Sequence, residues 1–140
     1  PNATQHTLIS TSSFPAGSAE LRMIQGSLEA WHAVQGSAFR FSYQSSSSSG
    51  ATDHGDRKNG VAFSSQVGDG TLGITFSTDL TNGDRLSADV LFNNRTNWSF
   101  DGSPTWQQYD LGSTARHEFG HALGLNHSNL GCQALMGSGC

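Results

Sequence analysis

Residues 117–127 read His-Glu-Phe-Gly-His-Ala-Leu-Gly-Leu-Asn-His, and the rest of the chain is best read outward from them. Wound as an α-helix at about 100° per residue, His117 and His121 stack one turn apart, within about 40° of each other. The apolar residues take the other side. Leu111, Ala115, Phe119, Ala122 and Leu123 fall between about 120° and 240° from His117, the face a helix buries. One face packs, and the other presents two imidazoles, half of a metal site.

Glu118 lies about 100° round from His117, beside the pair, where a carboxylate can hold and deprotonate a metal-bound water without being a ligand. Gly124 follows the last apolar residues, where a glycine in the left-handed region ends a helix without strain. The chain can then turn back and offer His127. Three neutral imidazoles leave a fourth position for water, which is the composition of a catalytic zinc site; structural sites close the tetrahedron with a fourth protein ligand, usually including cysteine. From the chain's own residue frequencies, the full His-Glu-x-x-His-x-x-Gly-x-x-His pattern arises by chance on the order of once in 10⁴ to 10⁵ chains of this length, so a solvated helix that happens to carry histidines is the weaker reading.

With Ser128 directly after the third histidine and Ala134-Leu135-Met136 following, the pattern resembles the metzincin metallopeptidases, and within them the matrixin-like branch of small, bacterial-type secreted catalytic domains. The resemblance implies a secreted zinc endopeptidase with one catalytic Zn²⁺ on His117, His121 and His127, Glu118 as general base, and Met136 in a tight turn beneath the zinc. On its own, Met136 would be an ordinary core methionine. The implied fold is α+β: a twisted, mostly parallel mixed sheet with an antiparallel edge strand, two main α-helices, and a short C-terminal Met-turn subdomain. Residues 1–140 would form a single catalytic domain, with 1–123 as the upper part and 124–140 as the lower. The chain departs from the family where Gly137-Ser138-Gly139 follows the methionine, so no tyrosine is available there as an extra ligand. It also stops four residues after Met136, where relatives continue into a final helix.

At 140 residues the chain is long enough for one self-sufficient core. The net charge of −4, with no basic stripe, argues against nucleic acid or an anionic membrane as a partner. No apolar run approaches the ~18 residues of a bilayer span, and Pro1 opens without a signal-like region, so the chain looks like a mature form whose propeptide or inhibitor lies outside it. It is expected to act as a monomer on protein or peptide substrates. Cys132 and Cys140, in a secreted chain, read as one disulfide around Met136 or as two free thiols. A cysteine as fourth ligand would displace the water.

Upstream, residues 5–12 read as a first strand and residues 19–34 as a helix capped by Ser18 or Gly17, with Leu21, Ile24, Leu28, Trp31 and Ala33 as its apolar stripe. Residues 39–44, 60–65 and 72–77 read as strands, 45–50 as a surface loop and 97–100 as a last short strand. Residues 101–110 read as loop, and Asp110 or Ser113 can cap the metal helix. In the layout the resemblance implies, the strand over 86–93 is the sheet edge that roofs the cleft. Ala88, Asp89, Val90, Leu91 and Phe92 would then pair with substrate backbone; an interior strand without that role is the other reading.

Asp79, Asn82 and Asp84 offer oxygens to Ca²⁺, although a plain surface turn is the simpler reading. His54-Gly55-Asp56 looks like the opening of the structural zinc loop of animal matrixins, but no histidine stands between His54 and His117 to complete a second site. His6 and His32 lack spaced partners and read as surface or packing residues. A zinc-stabilised binding module and an exopeptidase on a related scaffold are the rival functions.

Overall fold

The computed structural model describes residues 4–131 and 134–138. The elements run β1 (Thr4–Ser10), α1 (Ala19–His32), β2 (Arg40–Ser46), β3 (Gly60–Ser64), β4 (Gly73–Asp79), β5 (Arg85–Asn93), β6 (Trp98–Ser99), β7 (Tyr109–Asp110) and α2 (Leu111–Ala122). Five strands form one sheet in the order β2-β1-β3-β5-β4. Every pairing is parallel except β4 with β5, which is antiparallel and places Gly73 opposite Phe92. This is the α+β, mostly parallel mixed sheet with an antiparallel edge expected from the sequence.

The edge strand is not the one expected. β5 lies between β3 and β4, and Ala88, Asp89, Val90, Leu91 and Phe92 are all buried. The edges of the sheet are β2 and β4, and the one beside β5 is β4. The physical reason is visible in the residues of β5, which are apolar at both parities, so both faces of the strand must be covered; that is the pattern of an interior strand. β4 carries polar Thr75, Ser77 and Thr78 on a half-buried to exposed ribbon, as an edge tolerates.

Both helices pack on one face of the sheet, where Ile9, Leu28, Val61, Val90, Leu111 and Phe119 belong to one core. Ala62 and Leu91, one residue along from Val61 and Val90, point to the opposite face, where Ala51 and Val67 cover them. α1 begins at Ser18, whose Oγ accepts from the Leu21 N–H at 3.1 Å, satisfying one of the helix's first free donors. α2 begins at Asp110, whose Oδ2 accepts from the Ser113 N–H at 2.9 Å. The two helices meet where the Trp31 indole N–H donates to the Arg116 carbonyl at 3.1 Å. Gly120 of α2 faces this contact, and a Cβ there would run into Met136 Sδ and Trp31. No helix among the described residues is long and apolar enough to cross a membrane.

One contact between α1 and β2 carries a titration signature. The Tyr43 hydroxyl donates to Glu29 Oε1 at 2.7 Å, and this bond, with some burial and the nearby negative charge, pushes the phenol up to about 12. The same bond, aided by His32, lowers the Glu29 carboxyl. A raised acid is held protonated by the fold, so its contribution is present below the ordinary tyrosine range and disappears as the pH rises from about 10 to about 12. Replacing Glu29 by Gln should return Tyr43 towards its ordinary value, read as an earlier phenolate absorbance rise in an alkaline titration.

Candidate metal centre

His117 and His121 leave the last turns of α2, and the helix then ends in a tight turn. The Gly124 N–H donates to the His121 carbonyl at 2.8 Å and the Leu125 N–H to the Gly120 carbonyl at 3.0 Å, with Gly124 at φ +92°. This paired closure requires a residue in the left-handed region, which only glycine adopts without strain. It reverses the chain and brings His127 back over the helix end.

The three Nε2 atoms form a nearly equilateral triangle, with His117 to His127 at 3.0 Å and His121 to each of the others at 3.1 Å. Two of the rings are fixed from behind. His117 Nδ1 lies 2.8 Å from the Leu135 carbonyl and His121 Nδ1 lies 2.7 Å from the Leu125 carbonyl. A carbonyl oxygen only accepts, so each Nδ1 carries the proton and each Nε2, in the neutral ring, turns a lone pair inward. Lone pairs converging on one point cannot satisfy one another. They fit a cation, and ligands about 2.0–2.1 Å from a zinc ion in tetrahedral directions would stand about 3.3 Å apart, close to the triangle found. Among the described residues, this is the one group of three or more histidine, cysteine or acidic side chains whose donor atoms converge in this way.

Glu118 is buried, with 6% of its surface exposed. Its Oε2 accepts from the Thr75 hydroxyl at 2.6 Å. Met136 is buried against Gly120, in a turn closed by the Gly137 N–H donating to the Ala134 carbonyl at 2.8 Å. The Leu135 carbonyl that holds His117 belongs to the same turn, so this turn both packs against α2 and orients the His117 ring. An open groove of about 1030 Å³ runs past the histidines, with Gly73, Thr75 and Ser77 of β4 along one wall and Ala134, Leu135 and Gly137 along the other.

The other candidates go elsewhere. Ala88, Asp89, Val90, Leu91 and Phe92 do not line the groove. Asp89 sits under the sheet, where Oδ1 accepts from the Gly60 N–H at 2.8 Å and Oδ2 lies 2.9 Å from His54 Nδ1. Burial pushes its carboxyl up, partly offset by these two bonds. His54 stacks on Phe76 at 4.0 Å between ring centroids, and no third ligand-type side chain joins it among the described residues. His32 is structural, accepting the Phe41 N–H on Nε2 at 2.8 Å and meeting Glu29 through Nδ1 at 2.9 Å. The oxygens considered for Ca²⁺ are engaged within the protein: Asp79 by Arg85 at 2.6 Å, and Asp84 by the Asn82 amide at 2.8 Å. Cys132 and Cys140, with the disulfide expected between them, lie outside the described residues.

Four contributors escape sequence reading: Thr75, the carbonyls of Leu125 and Leu135, and Arg85. Arg85 binds Asp79 through Nε, while its Nη1 donates to the His121 carbonyl at 2.7 Å and the Ala122 carbonyl at 3.1 Å. A guanidinium at the end of α2 gives its last carbonyls a further donor and complements its dipole. It also ties the sheet edge to the helix end that carries His117 and His121. Arg85→Met keeps the aliphatic stem and removes these bonds. Because the side chain is 27% exposed, the expected loss is modest, about 1–2 kcal/mol, or roughly 3–8 °C in the Tm of the metal-free protein by thermal melting.

Residues 4–138 match the family model described as Matrixin. Human matrix metalloproteinase-27 is 43% identical over 61 residues, covering 44% of this chain and 11% of that protein. Human matrix metalloproteinase-25 is 48% identical over 44 residues, covering 31% of this chain and 8% of that protein. The matched stretches thus span about a tenth of the length of these relatives.

Proposed function

The chain belongs to the matrixin family of zinc metallopeptidases, and from that premise we propose that it is a secreted endopeptidase that cuts proteins or peptides at internal bonds. The observation that carries the reading is the triangle of inward-facing Nε2 atoms 3.0–3.1 Å apart, on the floor of a groove that also exposes the buried carboxylate of Glu118.

Zinc held by His117, His121 and His127 would supply Lewis acidity, lowering the pKa of a water and polarising the scissile carbonyl. The protein does the rest. The Leu135 and Leu125 carbonyls fix two imidazoles in orientation, with Nδ1–H outward and Nε2 aimed inward. Glu118 takes the proton of the attacking water and delivers it to the leaving amine as the C–N bond breaks. Its low exposure keeps bulk water from competing for that proton. β4 offers its free edge to an extended substrate, whose backbone can add as a further strand. Pairing of this kind is indifferent to side chains and favours broad selectivity. Of the described residues, those up to 123 supply the upper wall of the groove and those from 124 on the lower, and the chain works as a monomer outside the cell.

Digestion of a peptide library blocked at both ends tests the reading. Internal fragments that disappear with a chelator and return with added zinc are expected. A library left intact by the zinc-loaded protein, or trimmed only from its ends after unblocking, would overturn it.

A further inference from the structure

We propose that Thr75 is a positioning residue that selects which oxygen of Glu118 acts as the base. The inference rests on the reading above and deepens it. The Thr75 hydroxyl lies 2.6 Å from Glu118 Oε2 and 3.0 Å from the Glu118 carbonyl. A hydroxyl has one proton to give. The shorter distance is that of a charge-assisted bond, so the proton goes to Oε2 and that oxygen is occupied. Oε1 is the one left to receive a proton from water.

The strand is built around this carboxylate. Gly73 stands two residues before Thr75, on the same face of β4. A Cβ at Gly73 would come within 2.9 Å of Glu118 Cγ and 3.3 Å of both Cδ and Oε1. The Glu118 side chain therefore runs through a space that exists because residue 73 lacks a side chain, and it ends on the hydroxyl that residue 75 provides. Threonine is stiff at χ1 because it is branched at Cβ, so its oxygen is already placed before substrate arrives. Thr75 lies on the edge strand, where its neighbours Phe76 and Ser77 remain partly or fully exposed, and its hydroxyl bonds sideways to the helix instead of facing solvent. A glutamate with two free carboxylate oxygens and rotatable χ3 would spend part of its time with neither oxygen on the reacting water. A single fixed hydrogen bond removes that freedom.

The test compares Thr75→Val, which keeps the shape and loses the hydroxyl, with Thr75→Ser, which keeps the hydroxyl, in zinc-loaded protein assayed on one cleaved peptide. The expected result for Thr75→Val is a fall in kcat of about 10–100-fold, the range for lost orienting partners, with KM within about twofold and zinc still at one per chain. Thr75→Ser should recover most of the rate. A second readout needs no turnover: in NMR spectra of the parent protein, the Thr75 hydroxyl proton should be protected from exchange and show a cross-peak to the γ-protons of Glu118. Unchanged kcat in Thr75→Val, equal loss in the valine and serine variants, a loss carried by KM, or a rapidly exchanging hydroxyl proton would each overturn the proposal. An inactive parent with a protected hydroxyl would instead reject the endopeptidase reading and leave the positioning contact standing.

Discussion

Glu118→Ala should lower peptide hydrolysis by about 10²–10⁴-fold, the usual contribution of a positioned general base, while zinc stays at one ion per chain. The ligands are unaffected because Glu118 lies outside the triangle of Nε2 atoms and bonds to Thr75 instead. Stability should not fall with activity. A carboxylate 6% exposed is costly to keep charged unless fully hydrogen-bonded, so its removal is expected to leave Tm unchanged or raised. Activity on an unfolded protein substrate, zinc content by metal analysis and a melting curve together check the prediction. Hydrolysis at the parent rate would discard Glu118 as the base.

His117→Ala is expected to lose both functions at once. Its Nε2 is one vertex of the triangle, and its Nδ1–H holds the Leu135 carbonyl at 2.8 Å. Two imidazoles remain, and zinc affinity should drop by well over the roughly 10–100-fold that loss of a supporting hydrogen bond costs. A ligand that binds only the folded state raises Tm. The parent and Glu118→Ala should therefore melt higher with zinc than with a chelator, whereas His117→Ala should melt alike under both conditions. The contrast separates binding from chemistry, and a zinc-dependent Tm rise of parental size in His117→Ala would refute the ligand assignment.

What could be read from the sequence and what could not divide along one physical line. The metal helix was readable because its information is local: 3.6-residue periodicity aligns His117 with His121, and Gly124 marks the reversal that returns His127. The fold class follows from the resemblance that this motif carries, and strand and helix patterns of the same local kind supply only the order of the elements. The edge strand beside the groove is not legible in this way, because pairing order is a long-range property and the strand over 86–93 takes its edge position only from the resemblance. The cue against it was present in the run Ala88-Asp89-Val90-Leu91-Phe92, whose apolar residues occupy both parities and so predict cover on both faces. Thr75 and Arg85 were invisible for a stronger reason. Their partners lie 43 residues away for Glu118 and 36 for His121, and no spacing rule connects a strand hydroxyl to a helix carboxylate before the sheet is assembled. β6 falls within the short strand read over 97–100, whereas its parallel partner β7, with Tyr109 opposite Trp98, lies at the end of the stretch read as loop, because two residues carry no periodicity.

The central claim is that one ion is held by three imidazoles with the fourth position left to solvent. X-ray absorption at the zinc edge, on protein loaded with one equivalent, measures this directly. Three nitrogen scatterers at about 2.0–2.1 Å with imidazole outer shells, plus one light atom lacking such a shell, are predicted. A sulfur at about 2.3 Å, or a fourth imidazole, would mean that the position reserved for water is closed and would contradict the account.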